Sequence, residues 1–253
     1  MKIFTYDDNF EALASCIYSA WEYNLAHKDE QISLRKHSSM QQSIFSEFIY
    51  VETDKGKAKK VIDSIKTKLS MQSYHTVYMA FLHCEDTGND IYKFLRLAFK
   101  HGKDINYMLG EDIVMKLMRL QRAVSNEMNS YIEIVRFNEV ADNVFISHIE
   151  PKHNILLGLA KHFQSRMPSI DWMIIDSARS LALVHQKERD CYLHKLNSEE
   201  LKKMSKVNDI KEPYKKLWKS FFNSISIKER ENLKLQRQHC PLRRRKYMTE
   251  FME

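Results

Sequence analysis

Glycine, proline and cysteine are scarce in this sequence, and each scarcity excludes a class of protein. Only five glycines and four prolines occur among 253 residues, which disfavours sandwiches and propellers because those folds need many tight turns. The four cysteines lie far apart without a CxxC pair, so the sequence predicts neither a zinc site nor a disulfide framework. We therefore expect a helix-rich chain without a metal or other cofactor.

Long apolar runs and familiar catalytic motifs are also missing. No run of about 18 apolar residues and no secretory leader is present, so we expect a cytoplasmic protein outside the membrane. The sequence lacks GxxxxGK[ST], GxGxxG, HExxH and GxSxG, which disfavours ordinary ATPases, dinucleotide enzymes and the commonest hydrolases. Whether the protein is an enzyme therefore stays open.

Positive charge is unevenly distributed along the chain. From residue 211 onward we count twelve Lys or Arg and five Glu, a surplus equal to the formal net charge of +7. Residues 1–210 are balanced, with 28 charges of each sign. A positive field is therefore expected at one end of the molecule, where it attracts a polyanion. The alternative is a basic helix that is merely solvated.

Hydrophobic periodicity predicts an α+β fold, rich in helix, with a small and mainly antiparallel sheet. We predict a core over 1–196 and a basic helical C-terminal region over 197–253 that packs on it. The segment 28–43 is polar and aperiodic and is predicted to be a loop. Predicted strands cover 3–6, 48–51, 132–137, 144–149, 172–175, 180–185 and 191–196. Predicted helices begin near 10, 54, 73, 89, 111, 151 and 213.

One polar cluster is a candidate catalytic site. His162 and Arg166 are four residues apart and share a helix face, whereas His153 lies on the opposite side, which disfavours a two-histidine metal site. With Asp176 and Arg179 from the following hairpin, His162 and Arg166 would suit a phosphate or an extruded base. The alternative is an Arg166–Asp176 ion pair with His162 as an ordinary boundary residue.

Arginine-rich sequence near the C-terminus is a candidate nucleic-acid site, because guanidinium groups bind phosphate in a forked geometry and stack on bases. This prediction depends on cations that share one exposed surface and are not neutralised by the rest of the molecule. An acidic protein partner is the alternative. The predicted contacts are Lys228, Arg230, Lys234, Arg237, Arg243, Arg244, Arg245 and Lys246.

Short segments along nearly the whole chain together resemble a bacterial family described only as a probable DNA metabolism protein. They are Tyr6-Asp7-Asp8-Asn9-Phe10, Val51-Glu52-Thr53-Asp54, Arg136-Phe137, His153-Asn154-Ile155-Leu156, His162-Phe163, Arg166, Trp172, Asp176, Arg179, Leu217-Trp218-Lys219, Ile227-Lys228-Glu229-Arg230, Asn232, Gln236, Pro241 and Thr249-Glu250. Related proteins often have aromatic residues where this chain has Arg244 and Arg245, which favours phosphate contact over base stacking there.

The resemblance implies a companion of a radical-SAM protein assigned to DNA repair, and a domain fused in other bacteria to a uracil-DNA-glycosylase-like unit. It supplies no catalytic residue. The leading hypothesis is an accessory protein that binds DNA and works with a separate catalytic partner. The alternatives are an enzyme that removes bases or hydrolyses phosphodiesters at the His162 cluster, and an adaptor that contacts only protein.

Overall fold

The computed structural model describes residues 1–27, 30–39, 46–206 and 213–251, apart from the side chains of 205, 206, 213–216 and 228. The chain forms two compact units, Met1–Ser125 and Asn126–Glu253, each with its own sheet. The predicted boundary between 196 and 197 therefore lies inside the second unit. Within the described ranges, no helix combines the length and the apolar character that a membrane span requires.

The first unit contains a three-stranded parallel sheet in the order β2-β1-β3, with β1 (Lys2–Tyr6), β2 (Ile32–Lys36) and β3 (Glu47–Tyr50). The central strand β1 is buried from Ile3 to Tyr6, which is typical of a strand covered on both faces. The prediction of a mainly antiparallel sheet is wrong for this unit. Strands β1 and β2 run parallel because helix α1 (Phe10–Ala26) returns the chain to the starting edge of the sheet between them.

Helices of the first unit begin at residues that satisfy free backbone N–H groups. The side chain of Asn9 accepts a hydrogen bond from the N–H of Ala12 at 2.7 Å, and Asp54 accepts bonds from Gly56 and Lys57. The sequence predicts Asp54 as a cap and leaves Asp7, Asp8 and Asn9 as alternatives for the start of α1, of which the structure uses Asn9. The further helices are α2 (Lys55–Ser64), a π-helical turn (Ile65–Leu69), α3 (Met71–Phe81), α4 (Gly88–His101) and α5 (Asp112–Ile134), which continues into the second unit.

The second unit contains a five-stranded mixed sheet in the order β4-β5-β6-β7-β8. Strands β5 and β6 are parallel because helix α6 (Leu156–Arg166) connects them, and the other three pairings are antiparallel as predicted. The whole chain is therefore α+β, as expected. The strands are β4 (Asn138–Ala141), β5 (Val144–Ile149), β6 (Asp171–Asp176), β7 (Leu181–His185) and β8 (Tyr192–Lys195).

Three predicted elements differ from the structure. The segment 28–43 contains strand β2, whose Leu34 is fully buried; residues 28–29 and 40–45 lie outside the described residues. The strand predicted over 132–137 instead lies at 138–141, because α5 continues to Ile134. The helix predicted from Pro151 begins at Leu156, since residues 151–154 form a turn with other hydrogen-bond partners.

The C-terminal part of the second unit is helical, as predicted. Helix α7 (Ser198–Lys206) packs Leu201 and Met204 on the sheet cluster of Ile146, Ile175, Ala182 and Leu196. Helices α8 (Pro213–Ile225), α9 (Leu233–His239) and α10 (Leu242–Arg245) follow. The sequence also predicts an apolar stripe on α8, formed by Tyr214, Leu217, Trp218, Phe221, Phe222 and Ile225. The stripe is not fully buried, because Leu217, Phe221 and Ile225 are exposed; residues 207–212 and the side chain of Tyr214 lie outside the described residues.

Candidate nucleic-acid interface

An open groove of about 1040 Å³ lies between α8 and the short helices that follow it. The guanidinium of Arg245 is 4.6 Å from the ring centroid of Phe251, and Phe251 meets Phe222 edge-on at 6.1 Å. The groove thus combines a cation with aromatic rings. We call it the C-terminal groove and define it by Phe222, Arg230, Leu235, His239, Arg245 and Phe251.

Local sequence signals shape this groove. The side chain of Asn232 accepts a hydrogen bond from the N–H of Leu235 at 3.0 Å and begins α9. Pro241 precedes α10, where its missing N–H costs nothing. The Nε atom of Arg245 donates to the carbonyl of Cys240 at 3.0 Å, so this side chain is held at the groove by its own backbone.

The seven predicted cations whose side chains the structure describes do not all line the C-terminal groove. Arg230 and Arg245 line the C-terminal groove, together with one acid, Glu231. Lys234 and Arg237 are exposed on α9 but do not line the groove, and neither forms an ion pair with any described residue. The side chain of Lys228 lies outside the described residues.

Three members of the 243–246 run contact other parts of the second unit. Arg243 forms an ion pair with Glu127, and Lys246 forms one with Glu150. The guanidinium of Arg244 lies over the ring of Tyr131 at 5.8 Å. The expectation that these cations are left unneutralised is therefore wrong for Arg243 and Lys246.

Glu150 is the acceptor of a small surface cluster at the end of β5. The ammonium of Lys246 and the hydroxyl of Tyr247 both donate to its Oε1 atom. These two hydrogen bonds, foremost that from Lys246, lower the pKa of Glu150, and the same contact raises the pKa of Lys246. Nearby, burial lowers the pKa of His148, whose ring stacks on Tyr247. The charge of Lys246 is thus largely compensated within the molecule.

Glu127 is nearly buried and holds the turn at 151–154. Its carboxylate accepts hydrogen bonds from the backbone N–H groups of Lys152 at 3.0 Å and His153 at 2.7 Å. The third donor is the guanidinium of Arg243. Glu127 was not predicted from the sequence, although a signal was present: it falls at helical spacing between the buried Val124 and Tyr131. An acid on an apolar stripe indicates a buried partner.

Asp176 and Arg179 form a second support for the same turn. The Oδ2 atom of Asp176 is 2.8 Å from Nη1 of Arg179, and Oδ1 accepts from the N–H groups of Ala178 and Arg179. Arg179 in turn donates to the carbonyls of Pro151 and Lys152. Burial raises the pKa of the Asp176 carboxyl group, and these hydrogen bonds oppose that rise. The pair therefore acts as a structural clamp.

His162 and Arg166 do not join this clamp. Asp176 pairs with Arg179, so the Arg166–Asp176 ion pair is absent. Arg166 is exposed and forms no ion pair within the ranges that the structure describes, whereas His162 is partly buried with its ring edge-on to Phe163 at 5.0 Å. His153 is buried and belongs to the turn. The predicted catalytic residues are therefore not gathered into one hydrogen-bonded group.

Most of the residues described in this section lie in one known protein domain. A family model described as a domain of unknown function, DUF4130, matches residues 85–250, which is more than half of the chain. The chain belongs to the DUF4130 family. The match includes Glu127, the Asp176–Arg179 clamp and the residues of the C-terminal groove apart from Phe251, which follows the last matched residue. No curated protein matches the sequence.

Proposed function

We propose that this protein binds single-stranded nucleic acid in the C-terminal groove and acts as an accessory factor in DNA metabolism. The observation that carries the proposal is the groove itself, in which Arg230 and Arg245 lie beside the rings of Phe222 and Phe251. A cationic groove with aromatic rings suits single strands, because phosphates meet the cations while bases stack on the rings. The resemblance to a DNA-metabolism family supports DNA as the polymer.

The arrangement favours binding over catalysis. Asp176 and Glu127 are buried carboxylates that already accept hydrogen bonds from neighbouring residues. Each of them therefore has a structural role. A bond-breaking step on DNA is therefore assigned to a separate protein, and the resemblance implies a radical-SAM partner for that step. Lys234 and Arg237 add positive charge beside the groove and strengthen long-range attraction.

The test measures affinity for a fluorescent oligothymidylate as a function of salt. Arg230→Gln should weaken binding and reduce the salt slope by about 0.7, the value expected for one phosphate contact on a single strand. Phe251→Leu should weaken binding by removing a stacking surface, with a smaller change in salt slope. Lys161→Gln, an exposed lysine on α6 far along the chain from the groove, is the matched control.

Two results would count against the proposal. Equal effects of Arg230→Gln and Lys161→Gln would mean that only overall charge matters. The proposal would also fail if the protein bound duplex DNA more tightly than single strands and Phe251→Leu had no effect. The groove would then not contact the bases.

A further inference from the structure

A second pocket, of about 260 Å³, lies in the first unit between α1 and α2. Its walls are Ile17, Tyr18 and Trp21 of α1, Val61 of α2 and Phe99 of α4. All but Phe99 precede residue 85, so the pocket lies almost entirely outside the matched DUF4130 region. Its function is independent of the proposal above.

Aromatic rings determine what shape the pocket accepts. Trp21 and Phe99 meet edge-on, with ring centroids 5.2 Å apart and planes at 90°. Tyr18 contributes a third ring. The volume is below the roughly 300–1,000 Å³ of sites for drug-sized ligands, so it suits a single fused ring system. Planar rings pack well against aromatic walls of this kind.

Lysines line the same pocket. Lys60, Ser64 and Lys68 recur every four residues and all contribute to its lining. The π-helical turn Ile65–Leu69 closes with a hydrogen bond from the N–H of Ser70 to the carbonyl of Ile65 at 3.1 Å. Because a π-helical turn rotates less per residue than an α-helix, it keeps Lys68 on the face of Lys60. Such turns are frequent at functional sites.

The surrounding charge is strongly positive. Residues 55–68 contain six lysines and one acid, Asp63, a concentration hidden by the balanced total over 1–210. The ammonium groups of Lys57 and Lys60 also lie over the Tyr18 ring at 5.4 and 5.7 Å. A ligand in this pocket therefore meets apolar walls and two lysines, Lys60 and Lys68, that form no ion pair with any described residue. Asp54 attracts Lys60 only through a longer-range charge interaction.

We propose that the pocket binds a small aromatic carboxylate, with its ring between Trp21, Tyr18 and Phe99 and its acid group at Lys60 and Lys68. The apolar walls favour such a ligand over a nucleobase. A base carries several donors and acceptors on its edges, and those buried against hydrocarbon would lose their hydrogen bonds to water. A carboxylate keeps its polar group at the exposed lysines, while its ring gains contact with the walls.

The test titrates the full-length protein with 2-naphthoate and follows binding by calorimetry and by the Trp21 indole N–H signal in NMR spectra. Trp172 and Trp218 provide internal reference signals. The double variant Lys60→Gln/Lys68→Gln should weaken the binding of 2-naphthoate by about tenfold, because it removes both cations that pair with the carboxylate. It should leave the affinity for the neutral 2-naphthalenemethanol unchanged.

The matched control is Lys55→Gln/Lys59→Gln, which removes the same charge from exposed positions of α2 that do not line the pocket. We expect its affinity for 2-naphthoate to change by less than about twofold. An equal loss in both double variants would overturn the proposal, as would 2-naphthoate binding that leaves the Trp21 signal unmoved. Tighter binding of thymidine monophosphate than of 2-naphthoate would also overturn it.

Discussion

The Nη2 atom of Arg243 lies 3.1 Å from Oε1 of Glu127, joining the basic C-terminal run to α5. The Glu127 side chain is 4% exposed and that of Arg243 is 51% exposed. The two partners therefore differ in what their loss would cost. Arg243 regains water when unpaired, whereas Glu127 is the acceptor for two backbone N–H groups.

Glu127→Ala should lower the free energy of unfolding by several kcal/mol, since each buried N–H left without a partner costs about 1–3 kcal/mol. Arg243→Ala should cost less, because the carboxylate keeps its bonds from Lys152 and His153. Urea unfolding of both variants measures the difference. Glu133→Ala, an exposed acid on the same helix, is the control and should stay within about 0.5 kcal/mol of wild type. The reverse order of the first two variants would contradict this account.

A close approach between Gly88 and Tyr6 predicts a large effect of a single methyl group. A Cβ atom at Gly88 would meet the Tyr6 hydroxyl and would lie 2.9 Å from two ring carbons. The Tyr6 side chain is fully buried, and its hydroxyl donates to Asp86 at 3.1 Å, so the ring cannot move aside easily.

Gly88→Ala should therefore destabilise the protein by about 1–3 kcal/mol, the usual cost of overpacking a core. Gly110→Ala is the matched control, because a Cβ atom there meets nothing within 4 Å. Thermal unfolding should show a lower Tm for Gly88→Ala and little change for Gly110→Ala. An unchanged Tm for both would show that the contact at Tyr6 relaxes at no cost.

Sequence patterns predicted those elements whose signals are local. The caps at Asn9 and Asp54 and the β6–β7 hairpin depend on neighbouring residues, and all three are present. Parallel pairing in the first sheet was missed because it joins strands that are distant in the sequence. Strand β2 was missed because its five residues alternate too briefly to stand out in a polar segment.

The same distinction applies to the candidate sites. The cations near the C-terminus were easy to count, but their partners Glu127 and Glu150 lie about a hundred residues earlier in the sequence. His162 and Arg166 both lie in α6, yet their spacing carried no information about the partner of Asp176. That partner is Arg179, three residues away in the chain.

The Glu150–Lys246 pair predicts a defined dependence of stability on pH. The pKa of Glu150 is lowered in the folded state, so its contribution is present above the ordinary pKa and is lost as the pH falls through the folded value. The pKa of Lys246 is raised, so its contribution is lost only as the pH rises through a value above 10.5. Between these limits the pair should add less than about 1 kcal/mol, because both side chains are partly exposed.

Lys246→Met and Glu150→Gln should each remove this contribution at pH 7. As the pH falls below the ordinary glutamate pKa and Glu150 becomes protonated, Lys246→Met should differ less from wild type. Urea unfolding at pH 7 and pH 3 measures the change. If Lys246→Met differs from wild type by the same amount at both pH values, charge does not explain the effect. The contribution of Lys246 would then come from packing of its hydrocarbon chain.

A charge exchange separates the structural role of Lys246 from its predicted contact with DNA. Lys246→Glu should reduce stability by placing two acids together, and adding Glu150→Lys should restore it because the pair is rebuilt in reverse. If Lys246 is a structural partner, oligothymidylate affinity should also recover in the double variant, since the local net charge is again that of wild type. If Lys246 contacts a phosphate directly, affinity and salt slope should stay low in the double variant despite restored stability, because a carboxylate then faces the backbone.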